Sequence, residues 1–195
     1  MELPELIGIS GTFGSGKDLL AEILASNYGY THVSTSDLVR EVAMRERGSI
    51  ERPVLKEVAN ECRQKFGGGY FVEQGLRQSR PLVISGIRSL GEMKALKQAG
   101  GVMVFVDAPF EVRYDRMVER SRDGESLISH EEFRERESRE LCSGPLDTDF
   151  NITAIGEQAD VNLDNSGTKD EFLQNTIDEL NLQSSLARQP DSINE

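Results

Sequence analysis

A glycine-rich segment near the start of the chain contains the residue types that bind phosphate. The segment reads G-T-F-G-S-G-K-D from Gly11 to Asp18, and it matches the motif G-x-x-x-x-G-K-[ST] at every defined position except the last. Glycines let the backbone curl so that successive N–H groups point at phosphate oxygens, and the start of a helix adds the positive end of its dipole. The residues predicted to bind the nucleotide phosphates are Gly11, Thr12, Phe13, Gly14, Ser15, Gly16, Lys17 and Asp18, with Lys17 at the β and γ phosphates.

The last motif position bears on metal binding. Asp18 stands where a serine or threonine normally ligates magnesium. A carboxylate can still reach Mg²⁺, directly or through water, because this ion prefers oxygen ligands. It also adds negative charge beside the phosphates, so we expect activity to depend steeply on the metal. The third predicted strand ends in Ser85-Gly86 without an acidic residue, which leaves Asp18, Asp37 or Asp107 to hold the metal.

Three side chains that follow other predicted strands could bind an acceptor. Asp37 could accept the proton of an acceptor hydroxyl or help to hold Mg²⁺, and a helix N-cap is an equally good interpretation. Arg40, one turn later, points the same way and could hold an acceptor phosphate. Arg88 follows the third strand, where an anion-binding role is favoured over a surface ion pair.

Three arginines precede a polar stretch at residues 121–131. Arg116 and Arg120 share one helix face, and Arg122 lies where that helix ends. We predict that Arg116 binds substrate, and that a mobile lid brings Arg120 and Arg122 onto the transferring phosphate. The alternative is a solvated basic helix end that the helix dipole stabilises.

The elements that must position these residues alternate between strand and helix. Ser34 to Asp37 is predicted as a loop, and Ser89 to Glu92 as a reciprocal capping box that opens a helix. Such alternation predicts an α/β domain with a mostly parallel sheet, whose ligands bind at the carboxyl ends of the strands. Asn165, after the fifth strand, would there lie beside the phosphate loop and could face a base, or could serve only in a turn. The predicted strands are Leu6–Ser10, Tyr30–Val33, Leu82–Ser85, Val102–Val106 and Ala159–Leu163.

Composition narrows the class of protein. The 195 residues suffice for one domain with its own core, and the apolar runs are too short for a transmembrane helix. Two cysteines make no disulfide framework or metal site, so a cytosolic (cytoplasmic) protein is expected. The net charge of −12 argues against broad nucleic-acid binding. Residues 40–139 nevertheless hold 19 of the 22 basic residues, which suggests arginines that bind an anionic small ligand, although ion pairs on solvated helix faces would also use them.

Over roughly residues 6–182 the chain resembles phosphate-loop kinases of the nucleoside monophosphate kinase and dephospho-CoA kinase group. It is most similar to small dephospho-CoA kinase-like, adenylate kinase-related proteins that open with G-T-F-G-x-G-K. Ser36–Arg40 resembles their acceptor-site aspartate segment, and Ser85–Arg88 resembles D-G-x-P-R without its Asp and Pro. The three arginines match the lid pattern R-x-x-x-R-x-R. Asp160 and Asn165 fall in a segment similar to A-D-x-V-I-x-N-x-G, which contacts adenine in dephospho-CoA kinases.

The resemblance implies a three-layer P-loop NTPase fold with helical insertions for the acceptor (about 36–79) and the lid (about 116–141). The polar residues 183–195 predict a flexible tail. It implies Mg²⁺ and ATP as cofactors and phosphoryl transfer to a nucleotide-like small molecule, either dephospho-CoA or a nucleoside monophosphate. Neither a nucleic acid nor a membrane is expected as a partner. The alternative is an ATP-binding switch or assembly factor without a small acceptor, although no residue that would position water for hydrolysis is evident.

Overall fold

Five apolar runs form one parallel sheet. In the computed structural model, which describes residues 4–121 and 129–182, the strands are β1 (Leu6–Gly11), β2 (Thr31–Ser34), β3 (Leu82–Ser85), β4 (Val102–Asp107) and β5 (Val161–Asp164). They stand in the order β2-β3-β1-β4-β5, and all neighbouring pairs are parallel. All six residues of β1 are buried, as expected of a central strand that helices cover on both faces.

Helices connect the strands and cover both faces of the sheet. They are α1 (Lys17–Tyr28), α2 (Thr35–Arg47), α3 (Arg52–Phe66), α4 (Tyr70–Gly75), α5 (Leu90–Gln98), α6 (Phe110–Ser121), α7 (His130–Leu141), α8 (Ile152–Glu157) and α9 (Lys169–Glu179). One face packs against α1 and α9 through Leu20, Leu24 and Phe172, and the other packs against α5 and α8 through Leu96 and Ile155. The three-layer α/β fold is therefore confirmed, and the sheet that was expected to be mostly parallel is parallel throughout the described residues.

A third hydrophobic cluster lies outside the two sheet faces. Helices α2, α3 and α4 pack around the fully buried ring of Phe71, with Val39, Val42 and Val58 against it. These helices occupy the predicted acceptor-binding stretch at about residues 36–79. The cluster gives this stretch a small core of its own beside the carboxyl end of the sheet.

One predicted loop is wrong, and one helix lies where the sequence analysis predicted no element. The loop expected from Ser34 to Asp37 is absent, because α2 begins at Thr35 directly after β2. The buried hydroxyl of Thr35 donates to the Gly86 carbonyl at 2.8 Å, and this bond fixes the start of the helix against the turn after β3. Helix α8 was not predicted. It is short, and burial of Ile152 and Ile155 holds it against the sheet.

The capping box expected at the start of α5 is only half formed. The hydroxyl of Ser89 accepts the backbone N–H of Glu92, as predicted. The carboxylate of Glu92 does not return to Ser89. It accepts the backbone N–H of Arg88 and a guanidinium N–H of Arg63, both at 2.9 Å. Only 1% of the Glu92 side chain is exposed, and a carboxylate buried so deeply requires a cation, which α3 provides.

Over the described ranges 4–121 and 129–182, the helices are too short or too polar to cross a membrane.

Candidate functional site

The phosphate loop joins the end of β1 to the start of α1. Gly14 and Gly16 have φ angles of 82° and 93°, in the left-handed region that favours glycine. A Cβ atom on Gly16 would collide with the side-chain amide of Asn165, and one on Gly11 would collide with the carbonyl oxygen of Val106. The glycines of the motif are thus required by backbone angles and by close packing in this chain.

Carbonyl groups of the loop bond to side chains from other elements. The Phe13 carbonyl accepts from the Arg113 guanidinium at 2.9 Å, and the Ser15 carbonyl accepts from the Asn165 amide at 2.7 Å. Because the C=O and N–H of a planar trans peptide point in opposite directions, the N–H groups of Gly14 and Gly16 point away from these two side chains. The N–H of Ser15, which lies between them, donates to the Thr12 carbonyl at 3.1 Å. N–H groups of a glycine-rich loop that point away from such internal bonds, as those of Gly14 and Gly16 do, can bind an anion.

The two charged residues at the start of α1 lie side by side. The Lys17 side chain is only 17% exposed, whereas that of Asp18 is 66% exposed, and their charged atoms are 3.8 Å apart. We find no group of three His, Cys, Asp or Glu side chains that could hold a metal, within the described part of the chain. Mg²⁺ commonly binds through one or two protein carboxylates together with substrate phosphates, so Asp18 fits a nucleotide-bound Mg²⁺ and not a metal cage made of protein.

The loop after β5 lies against the phosphate loop, as predicted. Asn165 is 3% exposed, and its amide connects the two loops. The guanidinium of Arg116 approaches the Asn165 side-chain oxygen at 3.5 Å and the Gly167 carbonyl at 3.3 Å. Its other terminal nitrogen is buried and has no hydrogen-bond partner among the residues that the structure describes. The structure therefore places Arg116, predicted to bind substrate, beside Asn165, predicted to bind the nucleotide.

The structure describes only some of the other predicted lid residues. Arg120 lies in the last turn of α6. Arg122 and the polar stretch from residue 122 to residue 128 lie outside the described residues, as does the tail at 183–195. The lid and the tail stay predictions.

Asp160, in the segment that resembles an adenine contact, bonds to the sheet. Its carboxylate accepts the Met103 backbone N–H at 2.7 Å and pairs with Lys97. Partial burial acts to raise the pKa of this carboxyl, but the Lys97 hydrogen bond and charge and the Met103 N–H outweigh it, so the pKa lies below its ordinary value. Asp160 thus anchors the start of β5 to β4.

Asp37 and Arg40 form an exposed ion pair with each other. Their charged atoms are 2.6 Å apart, and the side chains are 66% and 49% exposed. Asp37 lies in the first turn of α2, and Ser34 occupies the N-cap position, so the N-cap interpretation of Asp37 was wrong. The two residues share one helix face, as the spacing predicted.

Arg88 is fixed at its backbone and paired at its side chain. Its N–H donates to Glu92, and its carbonyl accepts the N–H of Asn151 at 2.9 Å. The guanidinium lies over the ring of Phe150, 5.6 Å from the centroid, and pairs with Glu140 of α7 at 3.0 Å. The anion-binding role predicted for Arg88 therefore requires a ligand that can replace Glu140.

Sequence reasoning missed Arg113. Its side chain is 7% exposed, and its guanidinium bonds to the carbonyls of Phe13 and Ala108 and pairs with Glu137 of α7. The ring of Phe133, also from α7, packs against Phe13 with the centroids 5.1 Å apart. One sequence signal for the burial of Arg113 was available. Arg113 lies four residues before the apolar Met117, so the two side chains share one face of α6.

Asp107, the third candidate for the metal, has a different environment. Its carboxylate accepts the Thr12 hydroxyl at 2.5 Å and the Ala108 N–H at 2.8 Å, which ties the start of the phosphate loop to the end of β4. A cavity of about 780 Å³ opens beside these residues, between α8 and the edge formed by β4 and β5. Thr12 of the phosphate loop and its partner Asp107 line this cavity, and the remaining lining residues come mostly from α8, β4 and β5.

Comparisons with known proteins place the chain in a family. Residues 7–140 match the AAA domain family AAA_18. A UPF0200/UPF0201 protein of Archaeoglobus fulgidus is 31% identical over 82% of this chain, and the chain spans about half of that relative's length. A UPF0200 protein of Sulfurisphaera tokodaii is 30% identical over 88% of this chain and 93% of its own length. The name UPF0200 states no activity.

Solved structures share the fold. A gluconokinase from Sinorhizobium meliloti has a TM-score of 0.55 at 18% identity, covering 96% of this chain and 98% of its own. A shikimate kinase from Bacteroides thetaiotaomicron has a TM-score of 0.55 at 14% identity, covering 94% and 98%. At such low identity these likenesses show a fold like that of P-loop kinases and nothing of the substrate.

Proposed function

The chain belongs to the AAA domain family and to the UPF0200 family, and on this basis, together with its site, we propose that it is an Mg²⁺- and ATP-dependent kinase that transfers the γ-phosphoryl group to a nucleotide-like small molecule. The observation that carries the proposal is the phosphate loop. Two left-handed glycines and two carbonyls bonded to buried side chains direct the N–H groups of Gly14 and Gly16 away from Arg113 and Asn165, and Lys17 follows directly in the chain.

The donor would bind between this loop and the loop after β5. Phosphoryl transfer depends on positioning and on neutralising charge more than on covalent chemistry. Lys17 and the loop N–H groups would hold the donor phosphates, and Asp18 would orient Mg²⁺. When bound, Mg²⁺ would neutralise charge on the phosphates. Asn165 would contact the nucleoside part of the donor, and Arg116, which lies beside it, would bind substrate next to the donor.

The acceptor would bind on the other side of the phosphate loop. Arg40 and Arg88 are the cations for its anionic groups, and Asp37 would accept the proton of an acceptor hydroxyl or help to hold Mg²⁺. Arg120 and Arg122 would close from the lid. Dephospho-CoA accepts on a ribose hydroxyl and so benefits from Asp37, whereas a nucleoside monophosphate accepts on phosphate and needs no base. The Asp37 segment and the Asn165 loop favour dephospho-CoA slightly.

A panel of acceptors tests the proposal. Purified protein is incubated with ATP, Mg²⁺ and, in turn, each nucleoside monophosphate or dephospho-CoA, and ADP release and phosphorylated product are measured. We expect acceptor-dependent ADP release with one acceptor class. Lys17→Ala removes one preorganised charge, so transfer should fall by about 10²-fold or more.

Lys94→Ala is the matched control, because Lys94 is an exposed lysine on α5. It should leave the rate unchanged. Near-normal transfer by the Lys17→Ala protein would contradict the proposed kinase. ADP release that no acceptor stimulates would favour a nucleotide-binding switch.

A further inference from the structure

Arg113 connects three parts of the molecule that are separate in sequence. Its Nε donates to the Ala108 carbonyl at 2.7 Å, which fixes the guanidinium at the start of α6. One terminal nitrogen donates to the Phe13 carbonyl of the phosphate loop and also pairs with Glu137 of α7. Arg113 is 7% exposed and Glu137 13%, so solvent competes weakly for these bonds.

The contact with Phe13 acts on the part of the loop that would face phosphate. The carbonyl of Phe13 and the N–H of Gly14 belong to one peptide plane, so a donor that holds the carbonyl also sets the direction of the N–H. Gly14 lies close to the same residue, since a Cβ atom on it would be 3.2 Å from the Arg113 carbonyl oxygen. Glycine at a φ of 82° offers little resistance to rotation of this peptide, and an external bond is therefore needed to hold it.

The charge of Arg113 is already compensated. Glu137 pairs with the guanidinium, and the rings of Phe110 and Phe133 lie within 6 Å of it, at 5.8 and 5.9 Å. A guanidinium held in this way acts on a bound anion through the backbone that it orients and not as a free cation. Arg113 is therefore a positioning residue.

We infer that Arg113 holds the Phe13–Gly14 peptide in its phosphate-binding orientation, and that Glu137 makes this orientation depend on the docking of α7. The inference rests on the proposed function, because it concerns the same nucleotide site. It adds a coupling: α7, which lies within the predicted lid at about 116–141, reaches the phosphate loop through the Glu137–Arg113 pair and through the Phe133 ring.

The test compares two buried arginines. Arg63 is also 7% exposed, pairs with a buried glutamate, and lies over two aromatic rings at 5.5 Å each, but its described contacts are with α4, α5 and Phe150. Arg113→Gln and Arg63→Gln should both lower the melting temperature. Only Arg113→Gln should weaken binding of a non-hydrolysable ATP analogue with Mg²⁺, by about tenfold or more, as for loss of a hydrogen bond to a charged group.

Two further variants and a measurement without nucleotide sharpen the result. In Arg113→Lys the ammonium group can reach one of the two carbonyls, so this variant should keep part of the affinity for the analogue. Glu137→Gln should weaken binding of the analogue less than Arg113→Gln does. In the free protein, hydrogen exchange over residues 12–16 should speed up in Arg113→Gln and stay as in wild type in Arg63→Gln. Equal exchange and equal affinity in the two glutamine variants would overturn the inference. Failure of the wild-type protein to bind nucleotide would instead overturn the proposed function, and the exchange data would still decide whether Arg113 positions the loop.

Discussion

The proposed donor and acceptor sides of the site are built in different ways. On the donor side, buried Arg113 and Asn165 bond to backbone carbonyls of the phosphate loop. On the acceptor side, Arg40 pairs with Asp37 and Arg88 pairs with Glu140, and these side chains are between 23% and 66% exposed. The first kind of contact fixes a backbone, whereas the second is an ion pair that a ligand can replace.

The difference indicates how the two ligands would be recognised. Donor phosphates would meet a loop whose orientation is set before binding, which is the arrangement that costs least to reorganise. An acceptor anion would have to take arginines from carboxylates that already neutralise them, so its affinity would be the difference between two ion pairs. Acceptor specificity would then depend on Asp37 and Glu140 as much as on the arginines.

The largest expected effect concerns the buried Arg63–Glu92 ion pair, which holds the backbone of Arg88. Glu92→Gln leaves the Arg63 charge buried without its carboxylate, and removing one partner of a buried pair costs about 3–5 kcal/mol of unfolding free energy. Urea denaturation measures this loss. The matched control is Glu61→Gln, because Arg47 and Glu61 form a pair at 2.8 Å that is 40% and 48% exposed. Such a pair contributes about 0–1 kcal/mol.

Equal losses of unfolding free energy in the Glu92→Gln and Glu61→Gln proteins would show that the buried Arg63–Glu92 pair does not hold the acceptor side rigidly. The contrast between the two sides would then extend beyond the exposed pairs.

The next effect tests whether Glu140 competes with the acceptor. Arg88→Gln should raise the acceptor KM by about tenfold, as for loss of a charge-assisted hydrogen bond. Glu140→Gln should lower this KM, because Arg88 is then free to bind the anion. Initial rates at saturating ATP give both values. Glu135→Gln is the control on the same helix, since Glu135 pairs with Arg139 and both side chains are more than 60% exposed.

If Glu140→Gln raises the acceptor KM as Arg88→Gln does, Glu140 supports Arg88 and does not compete with the acceptor. The acceptor side would then be as fixed as the donor side, and the comparison would fail.

The smallest expected effect concerns Asp18, whose carboxylate is exposed although its neighbours on the proposed donor side are buried. Asp18→Ala should raise the Mg²⁺ concentration for half-maximal activity by about tenfold or less, and Asp18→Thr should keep activity metal-dependent. Both α1 and α9 begin with Lys-Asp, so Asp170→Ala removes the same residue from the same helix position away from the loop. If a magnesium titration gives one curve for all three variants and the wild type, Asp18 acts only on the helix dipole.

Local patterns were enough to predict the fold and the phosphate loop. The apolar runs at β1, β3 and β4 are buried on both faces, and such strands are nearly continuous in hydrophobicity. The glycines of the loop follow from its backbone angles, which are a property of a few consecutive residues. Capping boxes are equally local: Ser129 with Glu132 and Thr168 with Glu171 have the spacing of this motif, and both form it at the starts of α7 and α9.

Contacts between distant elements could not be predicted in this way. Glu92 has the spacing of a capping box, but burial beside Arg63 directs its carboxylate elsewhere. Arg88 was expected to be an open anion site, and the pairing with Glu140 depends on how α7 docks. Arg113 was missed because its partners in the loop and on α7 become neighbours only in the folded protein.

The bonds that shape the phosphate loop also constrain when it can form during synthesis. Thr12 bonds to a residue 95 positions later, Phe13 to one 100 positions later, and Ser15 to one 150 positions later. A ribosome would release the loop segment long before it makes the last of these partners. Contacts this distant require most of the chain to be ordered before they form. A nucleotide would therefore bind only after the chain has been made through Asn165, and it would stabilise the folded domain as a whole and not assist the early stages of its folding.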